Sequence, residues 1–574
     1  MDQSLKPNPI LGIWDGHDAG AALIQGHKII FAVNEERLSR RKLEAGFPFR
    51  SIAAGLKYAG MHPSDVTDIA ASTSDPAKTL TRLVPRLKEE YYLLRRRKKD
   101  PKRFDGLKKR FKYRFTELGP NYISTGLSRR HLDQKLKHMG FKNYQLHLID
   151  HHDSHAQAAA RCSGFEQCLI VTLDGVGDGL AGSVWAYENS KLALIAKIPS
   201  KVSMGIFFEH VTNLMNMREL EDEGKVMALA NYAYPVEDAD NPLMHLIGCE
   251  NLGFVSNHRS TAMFKEMKKI LWRYPSEQFA FMAQRVLEKR VLELINNAMA
   301  RTGLKKLALA GGVFSNIKLN MNIEQLGQVE NCYVFPHPGD GGLAIGSALH
   351  VNFKRFGIPH IQLNDLYLGP EYNRKELLAL LRQRQLRFKP IDDAARTAAD
   401  LIVKGEIILW YRGRSEIGPR ALGNRSILAR PDDRRIRDRL NLALKKRVWY
   451  QPFCPSMLLE DAPVMLDTEK RDIRNNRFMT TAFRVRPQYL EALQGVINID
   501  GTCRPHFVAD EHPVYRDLLR HIKAAIGVGA VLNTSFNIHG EPMVCSPHDA
   551  LDTFRRTGVR YLFLEDFLVE NRPE

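Results

Sequence analysis

Residues 168–188, CLIVTLDGVGDGLAGSVWAYE, indicate the fold of the N-terminal half of this chain. An apolar run ends at Asp174, a glycine-rich turn follows, and a second apolar run returns, which predicts two buried strands joined by a tight connection. Residues 10–36, ILGIWDGHDAGAALIQGHKIIFAVNEE, repeat this plan with an acidic, glycine-bearing turn between apolar runs. Two such hairpins predict a duplicated α/β architecture with two lobes.

Two histidines one helical turn apart, His151 and His155, stand in the run DHHDSHAQAAA. Residues at i and i+4 lie on one face of a helix, and the alanines that follow favour helix. Asp174 and Asp340 each stand in a glycine-rich turn. Two imidazoles and two carboxylates suit a divalent ion such as iron, manganese or zinc. His152 has a similar spacing to His155, and we interpret it as structural.

The composition sets the class of protein. A chain of 574 residues is too long for one core, so we expect at least two domains. The apolar content of 44% and the charged content of 26% are typical of a globular protein, and no run reaches the length of a membrane span. The N-terminus lacks a signal peptide, and seven cysteines without a CxxC spacing predict reduced thiols. We therefore expect a cytoplasmic location.

The pattern of the sequence changes after Ala348. Residues 356–367 carry turn residues and few charges, which predicts a linker. From residue 368 to residue 574 helical stretches alternate with apolar strands. The chain is therefore expected to consist of an N-terminal domain over residues 1–355 and a C-terminal domain over residues 368–574.

A second chemical signal lies in the C-terminal domain, where basic residues stand among glycines and prolines. Residues 413–431, GRSEIGPRALGNRSILARP, present Arg414, Arg420 and Arg425 on sharply turning backbone. This arrangement suits phosphate or carboxylate ligands. Three more turns carry basic, hydroxyl or amide groups, and they contain Lys445, Arg447, Arg504, Thr534, Ser535 and Asn537. Several such turns predict a site for a polyanionic ligand.

Much of the positive charge lies in one insertion at about 82–115. Between Arg82 and Arg114 fifteen basic residues face four acidic ones, an excess of eleven out of the net +18 of the whole chain. This basic segment predicts an anionic partner, such as a glycan, the inner face of a membrane or RNA. A solvated basic helix without a partner is the alternative reading.

Eleven motifs, taken in order, resemble the NodU/CmcH family of O-carbamoyltransferases and span essentially the whole chain. They include GIWDGHDAGAALI (12–24), HHDSHA (151–156), EDEGKVMALA (221–230), GDGGLAIGSAL (339–349), GRSEIGPRALGNRSI (413–427) and LNTSFNIHGEP (532–542). The resemblance implies an α/β fold with a two-lobed, actin-like (ASKHA) N-terminal domain, similar to the enzymes that form threonylcarbamoyladenosine in tRNA. It implies a YrdC-like α/β domain after it. Gln451 and Cys454 depart from the family, which often has arginine and alanine there.

The resemblance also implies the chemistry. Carbamoyl phosphate and ATP would form carbamoyladenylate in the C-terminal domain, with Mg bound to the ATP. The groups that hold these substrates would be Arg420, Arg425, Lys445, Arg447, Arg504, Ser535 and Asn537. In the N-terminal domain an Fe(II) site would be formed by His151, His155, Asp174 and Asp340, beside nucleotide contacts from Glu223, Gly224, Lys225, Gly311, Gly312, Asn316 and Gly341. His17 would assist deprotonation of an acceptor hydroxyl, and Lys42 would neutralise developing charge there.

Three interpretations of function follow. The first is an ATP-dependent O-carbamoyltransferase that acts on a hydroxyl of a glycan, a lipopolysaccharide or an antibiotic-like glycoside, with a homodimer left open. The second keeps the chemistry and takes tRNA adenosine as the substrate. The third is a silent scaffold or nucleic-acid-binding protein, which the metal-ligand pattern and the arginine-rich turns disfavour.

Overall fold

The computed structural model describes residues 7–99, 115–469 and 471–571, and it divides the chain into two compact units. The first unit comprises Met1–Ile30 and Ala45–Gln362, and the second comprises Phe31–Glu44 and Leu363–Glu574. The later boundary falls inside the linker expected at 356–367. The assignment of residues 31–44 to the second unit has no counterpart in the sequence-based expectation.

Two five-stranded sheets with the same topology form the framework of the first unit. Its strands are β1 Ile10–Trp14, β2 Gly20–Gln25, β3 Lys28–Asn34, β4 Asp68–Ser72, β5 Gln145–Ile149, β6 Cys168–Gly177, β7 Leu180–Glu188, β8 Lys191–Pro199, β9 Gly248–Glu250, β10 Gly253–Val255, β11 Lys306–Ala310 and β12 Asn331–Val334. Only the first three residues of β3 belong to this unit. The strand orders are β3-β2-β1-β4-β5 and β8-β7-β6-β11-β12, and β9 and β10 form a separate ribbon. In both sheets the first strand pairs antiparallel with the second and parallel with the fourth. This repeat confirms the duplicated, two-lobed actin-like plan.

Helices cover the sheets, and all but α1 belong to the first unit up to residue 356. They are α1 Glu35–Ser39, α2 Phe49–Ala59, α3 Pro76–Leu83, α4 Pro85–Arg95, α5 Tyr122–His138, α6 His151–Cys162, α7 Met204–Leu214, α8 Glu223–Leu229, α9 Ser260–Leu271, α10 Ser276–Thr302, α11 Ile317–Glu324 and α12 Leu343–Phe356. Among the described residues no helix is long and apolar enough to span a membrane.

Two buried helices, α6 and α12, cross at the centre of the first unit. Helix α6 buries almost every residue because its alanines leave little side chain to exclude from the core. Gly346 on α12 lies against the backbone of Ser154 on α6, and a Cβ at this position would overlap the Ser154 carbonyl. The close approach therefore depends on glycine at position 346. It holds the helix that carries His151 and His155 in place.

The second unit is built on an eight-stranded mixed sheet. Its strands are β13 Phe388–Pro390, β14 Ile408–Tyr411, β15 Arg425–Ala429, β16 Cys454–Leu458, β17 Phe483–Arg484, β18 Thr502–Cys503, β19 His506–Val508, β20 Ala530–Ser535, β21 Tyr561–Leu564 and β22 Phe567–Glu570, and the sheet order is β13-β22-β21-β14-β15-β20-β16-β19. Its later helices are α13 Arg374–Gln383, α14 Ala394–Val403, α15 Arg434–Arg439, α16 Ala462–Met465, α17 Pro513–Ile526 and α18 Pro547–Thr557. Two separate apolar cores enclose the sheet. A further α/β domain is thus confirmed.

The described part of the basic segment differs from the expectation of a free cationic surface. Arg82 makes a bidentate ion pair with Asp15, with nitrogen–oxygen distances of 2.8 and 2.9 Å, and both groups are buried. Lys78 approaches the same carboxylate at 2.7 Å, and Lys88 donates to the Asp15 carbonyl. Asp15, directly after β1, therefore holds α3 through its carboxylate and α4 through its backbone carbonyl.

Further along α4 the arginines also bind internal acids. Arg95 pairs with Glu209 and Glu219, and Arg96 pairs with the buried Glu221. These pairs join α4 to the loop before α8. Four cations of the basic segment, Arg82, Lys88, Arg95 and Arg96, are therefore engaged within the protein and not by the expected anionic partner. Residues 100–114 lie outside the described part of the chain.

Candidate active site

Helix α6 presents His151 and His155 from one face, as the spacing predicts. The N-terminus of the helix is fixed by the Asp178 carboxylate, which accepts the backbone N–H of His151 at 2.8 Å and those of Ser74 and Asp75. Nδ1 of His151 lies 3.1 Å from the hydroxyl of Thr73, which has the unusual φ of 70°. A hydrogen bond at Nδ1 directs Nε2 to the opposite side, into the site.

The structure brings His151, His155, Asp174 and Asp340 together. One ligand atom from each lies within 4.8 Å of all the others. The His155 Nε2 atom is 3.1 Å from Asp174 Oδ2, and the His151 Nε2 atom is 3.5 Å from Asp340 Oδ1. The two carboxylates come from β6 and from the turn before α12, so three separate segments build one cluster.

The chemistry of this cluster fits a divalent metal ion. His151 Nε2 is buried and has no hydrogen-bond partner among the described residues. Burial alone would lower the pKa of His155, but the carboxylates of Asp174 and Asp340 outweigh it and raise this pKa to about 9. Two imidazoles and two carboxylates are a suitable set of donors for a hard-to-borderline divalent cation.

His152 does not join the cluster. Its Nδ1 lies 2.9 Å from the Thr172 hydroxyl, and its Nε2 lies 3.2 Å from the Leu180 carbonyl. Because both ring nitrogens have partners, the structure agrees with the structural interpretation of this residue. Burial and the neighbouring histidines hold its pKa well below the usual range, so the ring stays neutral.

His17 lies at the edge of the cluster. Its Nε2 is 3.2 Å from Asp340 Oδ2, and its ring packs edge-on against Tyr92 at 5.5 Å between centroids. Burial opposes protonation, but Asp340 and Asp18 raise the pKa of the imidazole. The loop that carries His17 is held by Asp15, whose role the sequence reasoning missed because the basic residues that bind it are more than sixty positions away.

The predicted nucleotide residues of the first unit have different environments. Glu223 begins α8 together with Gly224, and burial and the neighbouring Glu209 raise its pKa to about 8. Lys225 forms an ion pair with Asp222 at 2.8 Å. These residues stand at the end of the loop that α4 holds through its arginines.

Gly311 and Gly312 lie beside Asp174, and Gly341 follows Asp340 in its turn. Gly311 has φ of 102°, and a Cβ there would overlap the Leu173 carbonyl. For Asn316 the structure differs from the sequence-based expectation of a nucleotide contact. Its Oδ1 caps α11 by accepting the N–H of Leu319, and its amide exchanges two hydrogen bonds with Gln284. The side chain is engaged in helix capping, which argues against the expected nucleotide contact.

A cationic cluster forms in the second unit. Arg420 makes no hydrogen bond or ion pair with any described residue, and burial and the nearby Arg504 lower its pKa to about 9. Arg504 donates to Cys454 Sγ at 3.0 and 3.1 Å. Burial also lowers the pKa of Arg447 to about 10, with Arg504 acting in the same direction. Partly buried cations that no described acid compensates form a site for an anion.

Lys445, Ser535 and Asn537 also come together. The Lys445 ammonium donates to the Ser535 carbonyl and to the carbonyl and Oδ1 of Asn537, at 2.9 and 2.8 Å for Asn537. Burial first, and then Arg447 and Lys42, hold the pKa of Lys445 well below its usual range. Lys42 therefore belongs electrostatically to this cluster of the second unit, whereas His17 lies in the first unit.

For Arg425 the structure also differs from the expectation, which was a contact with carbamoyl phosphate or ATP. Its guanidinium is fully buried and donates to the carbonyls of Arg412, Asn424, Gly413 and Cys545, and it stacks on Tyr411 at 3.6 Å. Four backbone acceptors engage the donors that a phosphate would need. The side chain therefore stabilises the turn and is not available to a ligand.

Glu416 is a structural residue that the sequence reasoning missed. Its carboxylate accepts the backbone N–H groups of Leu422, Asn424 and Arg425 at 2.8, 2.9 and 3.1 Å. These bonds shape the loop that presents Arg420. The sequence signal that could have indicated this role is an acidic residue close to glycine and proline within a basic motif.

A duplicated actin-like unit with a His/Asp cluster, together with an α/β unit that carries an uncompensated cationic cluster, defines a group-transfer enzyme. The family descriptions Carbamoyltransferase N-terminus and Carbamoyltransferase C-terminus match residues 9–349 and 399–571. The chain belongs to the carbamoyltransferase family, and it is a transferase.

Named relatives agree with this assignment. Nodulation protein NolNO of Sinorhizobium fredii is 32% identical over 97% of this chain and 79% of its own length. The 3'-hydroxymethylcephem-O-carbamoyltransferase of Amycolatopsis lactamdurans is 30% identical over 60% of this chain and 64% of its own length. The crystal structure of HypF from T. kodakarensis shows 14% identity, a coverage of 62% of this chain and 48% of that chain, and a TM-score of 0.34.

Proposed function

We propose that this enzyme is an ATP-dependent O-carbamoyltransferase. Carbamoyl phosphate, ATP and water would react in the second unit to give carbamoyladenylate, phosphate and pyrophosphate. The carbamoyl group would then pass in the first unit to a hydroxyl of a sugar-containing acceptor, and AMP would leave. The observation that carries the proposal is the partly buried cationic cluster of Arg420, Arg447 and Arg504, which forms no ion pair with an acid among the described residues, in a member of the carbamoyltransferase family. A polyanionic donor would supply the missing negative charge.

Donor activation would use the fixed cations of the second unit. Arg420 and Arg504 would bind phosphoryl oxygens through charge-assisted hydrogen bonds, which are stronger than neutral ones. Lys445, held by Ser535 and Asn537, would stabilise charge on the leaving phosphate. Mg would accompany the ATP. Lys42 lies in the same electrostatic environment, so we propose that it neutralises charge in this step rather than at the acceptor hydroxyl.

Transfer would use the cluster of the first unit. His151, His155, Asp174 and Asp340 would hold a divalent ion, which we propose to be Fe(II). A bound metal ion supplies Lewis-acid polarisation of a carbonyl oxygen. His17 would accept the proton of the acceptor hydroxyl, and Glu223, Gly224, Lys225, Gly311, Gly312 and Gly341 would contact the nucleotide.

The acceptor is proposed at the level of chemical class. Its reacting group would be a hydroxyl on a glycan, a lipopolysaccharide or a glycoside, and we propose that the enzyme acts in the cytoplasm. One relative, the 3'-hydroxymethylcephem-O-carbamoyltransferase, is named for a hydroxymethyl acceptor, which supports a hydroxyl as the reacting group. The donor reaction can be tested without knowing which one is used.

The test is the formation of AMP and pyrophosphate from ATP, with and without carbamoyl phosphate, by the purified protein. Arg504→Ala should abolish the dependence on carbamoyl phosphate, whereas Arg435→Ala, which removes a 94% exposed side chain of the same unit, should retain it. His155→Ala should keep pyrophosphate release but lose transfer to an added acceptor. The proposal is refuted if AMP formation does not depend on carbamoyl phosphate with any of the divalent metals tried.

A further inference from the structure

Helices α3 and α4 have an inverted distribution of side chains. They bury the charged Lys78, Arg82 and Lys88, each 8% exposed or less. The same helices expose Leu80, Leu83, Val84 and Leu87 by 43, 47, 40 and 45%. The apolar residues therefore face outward and the cations face inward, which is the reverse of the usual amphipathic helix.

The start of α5 continues this apolar surface. Helix α5 packs on α3 through the Thr79 hydroxyl, which lies 2.8 Å from the Ser128 hydroxyl and 3.0 Å from the Ser124 carbonyl. Tyr122 and Ile123, on the first turn of α5, are 95 and 72% exposed. We name Leu80, Leu83, Val84, Leu87, Tyr122 and Ile123 together the docking face.

The inversion is a fixed property of the fold. Asp15 binds Arg82 through two hydrogen bonds and contacts Lys78, so a rotation of α3 that buried the leucines would remove cations from a buried carboxylate. Breaking a buried ion pair costs more than hiding two leucines from water would return. An apolar surface that the described part of the chain leaves exposed indicates a partner.

The charges beside the docking face indicate which partner. Over residues 80–99 the exposed ionic side chains are Arg86, Arg97, Lys98 and Lys99 against the single acid Glu89. Arg86 stands between Val84 and Leu87 and pairs with no described residue. On α5, Arg129 and Arg130 are exposed as well.

Apolar side chains around Arg86, an exposed cation that pairs with no described residue, match an anionic lipid surface. The side chains would enter the headgroup region while the cations meet lipid phosphates, each contributing about 1 kcal/mol. A second copy of the chain is a poorer occupant, because a twofold interface at this face would bring Arg86 toward its own symmetry mate.

We propose that the docking face binds the enzyme peripherally to anionic membranes. The proposal is independent of the carbamoyl-transfer chemistry, since none of these residues belongs to either cluster. It assigns Leu83, Val84 and Leu87 to insertion between headgroups and Arg86 to contact with lipid phosphate. An acceptor that is itself anchored in a lipid layer would meet the enzyme there.

Flotation of the full-length protein with vesicles tests the proposal. The protein should float with vesicles of phosphatidylcholine mixed with phosphatidylglycerol, and it should float less with phosphatidylcholine alone or at high salt. Leu83→Ser combined with Leu87→Ser should reduce the bound fraction about tenfold or more, as expected from withdrawing two partly buried leucines from lipid. Trp272→Ser, which removes a 90% exposed residue of the same unit outside the docking face, should bind as the unaltered protein does.

A second variant guards against a folding defect. Arg86→Glu alters one exposed, unpaired side chain and should weaken binding about fivefold or more, because it replaces attraction to lipid phosphate with repulsion. Melting temperatures of both variants should stay near that of the unaltered protein. The proposal is wrong if anionic vesicles do not bind the protein, or if the two variants bind as it does. It is equally wrong if sedimentation shows a dimer that the leucine variant dissociates.

Discussion

Asp15 lies between β1 and His17 and receives basic side chains from Lys78, Arg82 and Lys88. These cations hold the pKa of the carboxyl well below its usual value in spite of burial, which acts in the opposite direction. Removing one partner of a buried ion pair leaves charge without compensation. Asp15 thus links the loop of His17 to two helices, to α3 through its carboxylate and to α4 through its carbonyl.

Arg82→Met should lower the free energy of unfolding by about 3 kcal/mol, since it breaks this pair and also leaves the Ser72 and Thr73 carbonyls without a donor. Arg86→Met, four residues later on the exposed side, should change it by less than about 0.5 kcal/mol. Urea denaturation followed by circular dichroism measures both. Equal stability of the two variants would contradict the role assigned to Asp15.

The His/Asp cluster predicts a metal content that depends on each ligand. His155→Ala should weaken metal binding at least about a hundredfold, and Thr73→Val should weaken it about tenfold to a hundredfold, because Thr73 orients the His151 ring. Elemental analysis after dialysis against a weak chelator measures the metal. His138→Ala, which removes an exposed histidine of the same unit, should leave the content unchanged.

At the scale of elements, the crossing of α6 and α12 connects packing to the site. Gly346→Ala should lower the free energy of unfolding by about 3 kcal/mol, since its Cβ would push Ser154 away. Ser154 stands between His151 and His155, so metal affinity should fall as well. Thermal unfolding and metal titration of the same variant give the two readouts.

The matched control for this crossing is Gly126 on α5, where a Cβ would meet no atom within 4 Å. Gly126→Ala should raise stability by about 0.5 to 1 kcal/mol, because alanine restricts the unfolded chain and favours helix. A neutral Gly346→Ala would show that α6 and α12 do not touch at this position.

At the scale of the whole molecule, the second unit buries two neutral histidines in its core. Burial, and then His512 and Arg477, lower the pKa of His506 to about 3, and burial and Arg412 lower that of His512 to about 4. In the unfolded chain both would titrate near their ordinary pKa of about 6.5. Below that pH the unfolded chain binds more protons than the folded unit, so protons favour unfolding.

The stability of the second unit should therefore be complete above about pH 6.5 and fall as the pH drops toward about 4, by up to about 1.4 kcal/mol per pH unit for each histidine. Denaturant unfolding between about pH 7 and about pH 5 measures the slope. His506→Asn should flatten it, whereas His548→Asn at an exposed position should not. A slope that survives His506→Asn unchanged would assign the pH dependence to other groups.

Several features could be predicted from the sequence alone because their signals are local. The hairpin patterns at residues 10–36 and 168–188 predict buried strands, and the i, i+4 spacing of His151 and His155 predicts a shared helix face. The acidic turns at Asp174 and Asp340 follow the strands that deliver them. Strand period, helix period and turn chemistry each depend on a few neighbouring residues, so they can be recognised without knowledge of the fold.

Only the tertiary structure decided the roles of residues whose partners are distant in the chain. Arg420 and Arg425 stand in one motif, yet Arg425 turns inward to backbone carbonyls while Arg420 keeps an uncompensated charge. Arg82 and Arg86 stand in one basic segment, yet Asp15 buries the first and leaves the second outside. Charge fixes what a side chain can bind, but burial fixes what it does bind, and burial depends on contacts between residues far apart in the sequence.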